Sequence, residues 1–174
     1  MNNFMFDTNI FNHILDFKIN LETIKGKGNF FVTHIQQDEI NDTPDSSRKK
    51  LLIEIFTSIV NNDIATSSVV IGVSRIGRAK LGGNSIPTES ALWGISHWGE
   101  SNWGNKDGLY QPIKDKLDSR NNHKKNNPKD ALIAETSIKN NFTLITHDKD
   151  LYSITTYFHG SCANFYHLLN DING

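Results

Sequence analysis

The chain has 174 residues, of which 37% are hydrophobic and 21% charged, with a formal net charge of −1. That length suits one α/β domain with a sizeable core and leaves little room for two. The charge balance excludes the global basic footprint of many nucleic-acid binders, no apolar run is long enough to span a bilayer, and the single cysteine, Cys162, excludes an intramolecular disulfide. The start Met1-Asn2-Asn3-Phe4 has no basic region or long apolar stretch, so no secretory signal is expected and the cytoplasm is the default compartment.

Phe4-Met5-Phe6 predicts a buried strand that stops at Asp7. Thr8 or Asn9 is expected to cap the next helix, whose apolar residues Ile10, Phe11, Ile14 and Leu15 recur at helical spacing. Gly26 and Gly28 mark a loop, Phe30 to Thr33 a second strand, and the helix after it carries Glu39 and Ile40. Pro44 and Asp45 break that segment. Ser46 or Ser47 then opens an amphipathic helix through Leu51, Leu52, Ile55, Phe56 and Ile59.

Ile64 to Thr66 reads as a short strand or turn. Val69, Val70, Val73, Ile76 and Leu81 suggest a helix that Gly82-Gly83 ends, followed by a loop to about Asp107. Leu109, Ile113 and Leu117, spaced by four, predict another helix, and a polar linker follows. Asn127-Pro128 opens a helix with proline at an early position, where its missing N–H costs nothing. Asp130 falls in its first turn, favoured by the helix dipole, and Asn140-Asn141 stop it. Thr143 to Thr146 is a strand, and Ala163 to Phe165 another, before a closing helix near Tyr166 to Leu169. Short apolar strands alternating with helices predict a three-layer α/β/α sandwich around a central, mainly parallel sheet.

Ligand sites of open parallel sheets lie beyond the C-terminal strand ends. Asp7 follows the first strand, Asp148 follows the Thr143 strand, Glu39 lies a few residues past the second, and Asp130 opens the helix leading into the Thr143 strand. Four carboxylates on one rim repel each other unless a cation lies between them. Oxygen donors suit Mg²⁺ or Mn²⁺, and no Cys/His spacing speaks for zinc. Such a site can lower the pKa of an attacking water and stabilise a leaving oxygen at phosphorus. Taken singly, each acid reads as well as a helix cap, a first-turn acid or an exposed helix residue. It is their joint placement on one rim that favours chemistry.

Three blocks, FMFDTNIF (residues 4–11), VTHIQQDEI (32–40) and KDALIAETSIKNNFTLITHDKDL (129–151), resemble the signature blocks of the PIN-domain nuclease superfamily. The last block is the most specific. The resemblance implies that Asp7, Glu39, Asp130 and Asp148 are metal-binding acids and that Asp150 supplements them. It gives Thr8 and Asn9 a supporting role. It further implies Mg²⁺- or Mn²⁺-dependent cleavage of RNA. Many such proteins are VapC-type toxins that form homodimers and are held inactive by an antitoxin partner. The order of ligand and water-orienting base among Asp130 and Glu39 stays open.

The middle of the chain departs from the resemblance, with an extended segment at about 82–127 inside the single domain. There Trp93-Gly94, Trp98-Gly99 and Trp103-Gly104 recur every five residues. A loop folded over the core is the simpler reading, and base stacking beside the site is the functional one. From Lys114 to Lys129, six basic residues face two acidic ones, a local charge of +4, and Lys124, Lys125 and Lys129 are the candidates for holding a substrate backbone. His147 stands near the predicted site but reads equally as a solvated turn residue, His34 could approach phosphate or merely cap a strand, and Arg75, Arg78 and Lys80 read as a solvated face. Two other function classes compete: a non-catalytic PIN-like module that binds RNA or protein, and a phosphohydrolase acting on small esters. Asp7-Thr8-Asn9 lacks the D-x-D pattern of an aspartyl nucleophile, which weighs against the latter.

Overall fold

The computed structural model describes residues 2–25, 28–60, 62–68, 70, 72–74 and 108–173. The chain begins with β1 (Asn3–Phe6), α1 (Thr8–Asp16), a 3-10 turn at Leu21–Thr23, β2 (Asn29–Val32), α2 (His34–Asn41), α3 (Ser46–Ile59) and β3 (Asn62–Asp63). It resumes with α4 (Tyr110–Asn121), α5 (Asn127–Lys139), β4 (Thr143–Ile145), α6 (Lys149–Tyr157), β5 (Cys162–Ala163) and α7 (Phe165–Asn173). Most of the Val69–Leu81 helix expectation, Arg75, Arg78, Lys80 and the Trp-Gly segment lie outside the described residues. Among those described, no helix is long and apolar enough to cross a membrane.

The five strands form one sheet in the order β3-β2-β1-β4-β5, and every pairing is parallel. Strand periodicity divides the apolar side chains between two cores. Phe4, Phe6, Phe30, Val32 and Ile145 face one core with residues of α1, α3 and α7. Met5 and Leu144 face the other with residues of α4, α5 and α6. Those two helical layers make the α/β/α sandwich. Leu109, Ile113 and Leu117 mark a real helix, with Ile113 and Leu117 buried against α5 and α6. β3 covers the polar pair Asn62–Asp63 rather than Ile64 to Thr66, since its register is set by pairing with Phe31 and Val32 on β2. The segment after Asp148 is the helix α6.

Helix ends follow local rules. Thr33 caps α2, its hydroxyl accepting from Ile35 N–H, and Gln36 closes a capping box. Asn141 takes a left-handed conformation (φ 54°), Asn141 N–H donates to Ile138 O and Phe142 N–H to Ser137 O. That Schellman pattern stops α5 where the Asn pair predicts. α6 ends in the same way at His159 (φ 63°), with Gly160 N–H donating to Thr155 O at 2.9 Å. A Cβ at Gly160 would lie 2.6 Å from Ile138 Cγ1 and 2.7 Å from Thr155 Cγ2. Gly160→Ala is therefore expected to lower stability by about 1–3 kcal/mol, the usual cost of overpacking, as read by urea denaturation. An unchanged midpoint would mean that α6 moves away from Ile138 without cost.

Candidate active site

In a parallel sheet all C-terminal strand ends share one rim. Asp7 is the first residue past β1 and the N-cap of α1, with extended backbone (φ −75°, ψ 153°). The cap is therefore Asp7 and neither Thr8 nor Asn9: Thr8 is already helical, and Asp7 O accepts from Ile10 N–H. The Asp7 carboxylate makes no capping bond. Its Oδ2 accepts instead from Thr146 Oγ1 and Asn9 Nδ2, each at 2.6 Å.

Thr146, the residue after β4, ties the rim together. Besides donating to Asp7, its Oγ1 accepts from Asp148 N–H at 3.0 Å and from Asn9 Nδ2 at 3.1 Å. Asn9 Oδ1 accepts from His147 N–H at 3.2 Å. Asp148 is the N-cap of α6, its Oδ1 accepting from the backbone N–H groups of Asp150 and Leu151. Glu39, in the second turn of α2, accepts from Thr8 Oγ1 at 2.5 Å and faces Lys129 Nζ at 3.4 Å. Asp130 stands in the first turn of α5.

These elements enclose a cleft of about 540 Å³ lined by Asp7, Glu39, Asp130 and Asp148, by Thr8 and Asn9, and by Lys124 and Lys129. All four predicted acids thus share one cavity with both predicted supporting residues. Lys125 and Asp150 are not among the described lining residues. Asp150 sits behind Asp148 and faces Lys124 Nζ at 3.7 Å. Asn12, Asp42 and Asn126 also line the cleft. Asn12 is one helical turn beyond Thr8, so helical spacing was the signal available for it. Asp42 and Asn126, at the end of α2 and just before α5, carried no such signal.

The basic run between Lys114 and Lys129 does not form one surface. Lys114 pairs with buried Asp118 at 2.9 Å, and Lys116 lies over the Tyr157 ring. Only Lys124 and Lys129 reach the cleft among the described residues. His34 is fully buried in the first turn of α2.

The electrostatics follow from crowding acids in a partly dry site. Burial raises Asp7 to about 6, with Glu39 and Asp148 adding to the rise against the Thr146 hydrogen bond. Burial, then the charges of Asp7, Glu39 and Asp148, push Asp130 up to about 8, with Lys124 opposing. Burial and neighbouring His13 hold the His147 imidazole below its ordinary value. The Cys162 thiol is pushed up to about 12, mainly by burial, which leaves it unreactive at neutral pH.

A hard divalent cation fits the chemistry of this donor set, which is all oxygen and carries unbalanced negative charge. Among the described residues no three His, Cys, Asp or Glu side chains converge as a ready cage. Mg²⁺ does not require one, since it commonly keeps several waters and takes only one or two carboxylates directly. Asp7 and Asp130 would hold it most directly, because burial and neighbouring acids raise both and a cation would relieve that cost.

No family model and no curated relative matches the sequence. Two solved structures are similar along most of the chain. One is VapBC2 from Rickettsia felis bound to a DNA fragment from their promoter, with 17% identity over 92% of this chain and 97% of that one, at a TM-score of 0.44. The other is FitAcB from Neisseria gonorrhoeae, with 14% identity over 94% and 99%, at a TM-score of 0.39.

Proposed function

We propose that this protein is an endoribonuclease that cleaves phosphodiester bonds with the help of Mg²⁺ or Mn²⁺. The observation that carries the reading is the meeting of Asp7, Glu39, Asp130 and Asp148, from four separate elements, in one cleft with two lysines. When bound, the cation would activate a water and stabilise charge on the leaving oxygen. Asp7 and Asp130 would hold it, with Asp148 and Glu39 acting directly or through water and Asp150 supporting Asp148 from outside the cleft. Thr146 and Asn9 fix the Asp7 carboxylate, so its lone pairs keep one direction. Lys124 and Lys129 would meet substrate phosphates. The choice of RNA, an antitoxin partner, a homodimer and a cytoplasmic toxin or defence role rest on the resemblance of the three sequence blocks.

Labelled RNA and DNA of matched sequence, incubated with Mg²⁺, Mn²⁺ or chelator, test this reading. Cutting of RNA that chelation abolishes is the expected result. A folded protein that binds divalent cation and cuts neither nucleic acid, across a panel of structured and unstructured RNAs, would turn the reading to a non-catalytic binding module.

Lys129 supplies a separate prediction. Its ammonium lies 3.4 Å from Glu39, where it repels an incoming cation. Lys129→Met should tighten Mg²⁺ binding roughly three- to tenfold, as measured by calorimetry, while weakening RNA binding. Weaker Mg²⁺ binding in the variant would instead assign Lys129 to ordering Glu39.

A further inference from the structure

Beside the carboxylate cleft runs a strip of aromatic rings that the reaction does not use. His147 immediately precedes Asp148, and its backbone is fixed to Asn9 of the cleft. Its ring packs on His13 of α1 with centroids 4.4 Å apart, and lies 5.8 Å from Tyr166. His13 in turn meets Tyr166 edge-on at 5.4 Å and Phe17 at 4.4 Å. Tyr166 sits in the first turn of α7, just past β5, so it stands on the same C-terminal rim as the acids.

Packing alone does not account for this strip. Phe17 is 66% exposed and Tyr166 53% exposed, although both are large rings in contact with a common neighbour. The two imidazoles pack ring against ring, and Nε2 of each is buried without a hydrogen-bond partner. The exposed faces are aromatic, which suits flat π-systems. Lys149, next to Asp148, and Lys18, next to Phe17, are both exposed. Asp16, next to Phe17, is already paired with Arg48 at 2.7 Å.

We infer that Tyr166, His147, His13 and Phe17 form a stacking ledge for unpaired nucleobases of a strand whose backbone enters the carboxylate cleft. This rests on the ribonuclease reading and sharpens it to single-stranded substrate. Stacking on aromatic side chains tolerates any base, because every base presents a π-face. It excludes a continuous duplex, whose bases already stack on one another. Phosphates between stacked bases would run toward Lys124 and Lys129 in the cleft.

Binding measured in chelator separates the ledge from catalysis. Fluorescence anisotropy would follow a labelled single-stranded RNA and its blunt duplex on wild type, Tyr166→Leu, Phe17→Leu and Tyr166→Phe. Each leucine variant is expected to weaken single-strand binding roughly 5- to 100-fold, the effect of losing stacking on one base. Tyr166→Phe should retain wild-type affinity, and duplex affinity should not change. A 2-aminopurine placed in the strand should lose emission on binding wild type and less so on Tyr166→Leu. Unchanged single-strand affinity in both leucine variants would overturn the ledge. So would an equal loss for duplex, or sedimentation showing a wild-type dimer that the leucine variants break, since a second copy would then cover the strip. RNA cutting that continues with an unchanged affinity series would defeat the ledge alone. A normal series with no cutting in Mg²⁺ would defeat only the nuclease reading.

Discussion

Asp7→Asn and Asp130→Asn are each expected to reduce RNA cleavage by at least about 10²-fold without unfolding the protein. The magnitude is that of removing one group that stabilises developing charge in a water-excluded site. Asparagine keeps the volume of the side chain and loses the negative charge that would hold the cation. At position 7 the amide oxygen can still accept from Thr146 and Asn9, so the rim keeps its hydrogen bonds. Asp150→Asn is the control. Its side chain stands outside the described lining of the cleft and faces Lys124 only at 3.7 Å, so a loss below tenfold is expected. Initial rates on one labelled RNA, with melting curves alongside, decide the matter. Equal losses in all three variants would contradict the division between cleft and outer acids. Retained activity in Asp130→Asn would remove Asp130 from the site.

The second large effect concerns stability. In chelator, the protein should become less stable as pH rises from 5 to 9. Asp7 and Asp130 have folded pKa values of about 6 and about 8, against 3.8 for an unperturbed aspartate. Over that interval the folded state holds protons that the unfolded chain has released, so stability falls with increasing pH. It is fully present below the unfolded value and is lost as pH passes first about 6 and then about 8. The combined effect over this interval is on the order of 5 kcal/mol, which for a chain of this size is roughly 10–20 °C in melting temperature. Asp130→Asn should remove the upper part of this slope and be more stable than wild type at pH 8. Saturating Mg²⁺ should restore wild-type stability at that pH through binding to the folded state. A melting temperature that rises from pH 6 to pH 9 in chelator would sink this account. The acids that equip the cleft would then be charged at no cost to the fold.

Much of this architecture is local and therefore legible in sequence. Phe4-Met5-Phe6 closed by Asp7 is a strand end. Asn127-Pro128 with Asp130 is a helix start, and Asn140-Asn141 is a helix stop, because each depends on neighbours within four residues. With the parallel alternation of elements, those local signals put the four acids on one rim, and all four do line the cleft. Where local signals were weak the reading slipped. β3 is only two residues long and takes its position from β2.

The remaining features depend on partners far away in the chain. Thr146 reaches Asp7 across 139 residues, Thr8 reaches Glu39 across 31, and neither pairing leaves a pattern in the sequence. The +4 basic stretch looked continuous, yet folding turns Lys114 to Asp118 and Lys116 to Tyr157, and brings only Lys124 and Lys129 to the acids among the described residues. His13 and His147, 134 positions apart, become neighbours only because α1 packs beside the end of β4. Residue type and local spacing determine which groups are available and where each element ends. The docking of the elements decides which groups meet and how much water is left between them. That residual water sets how strongly the acids repel and whether a cation is needed among them.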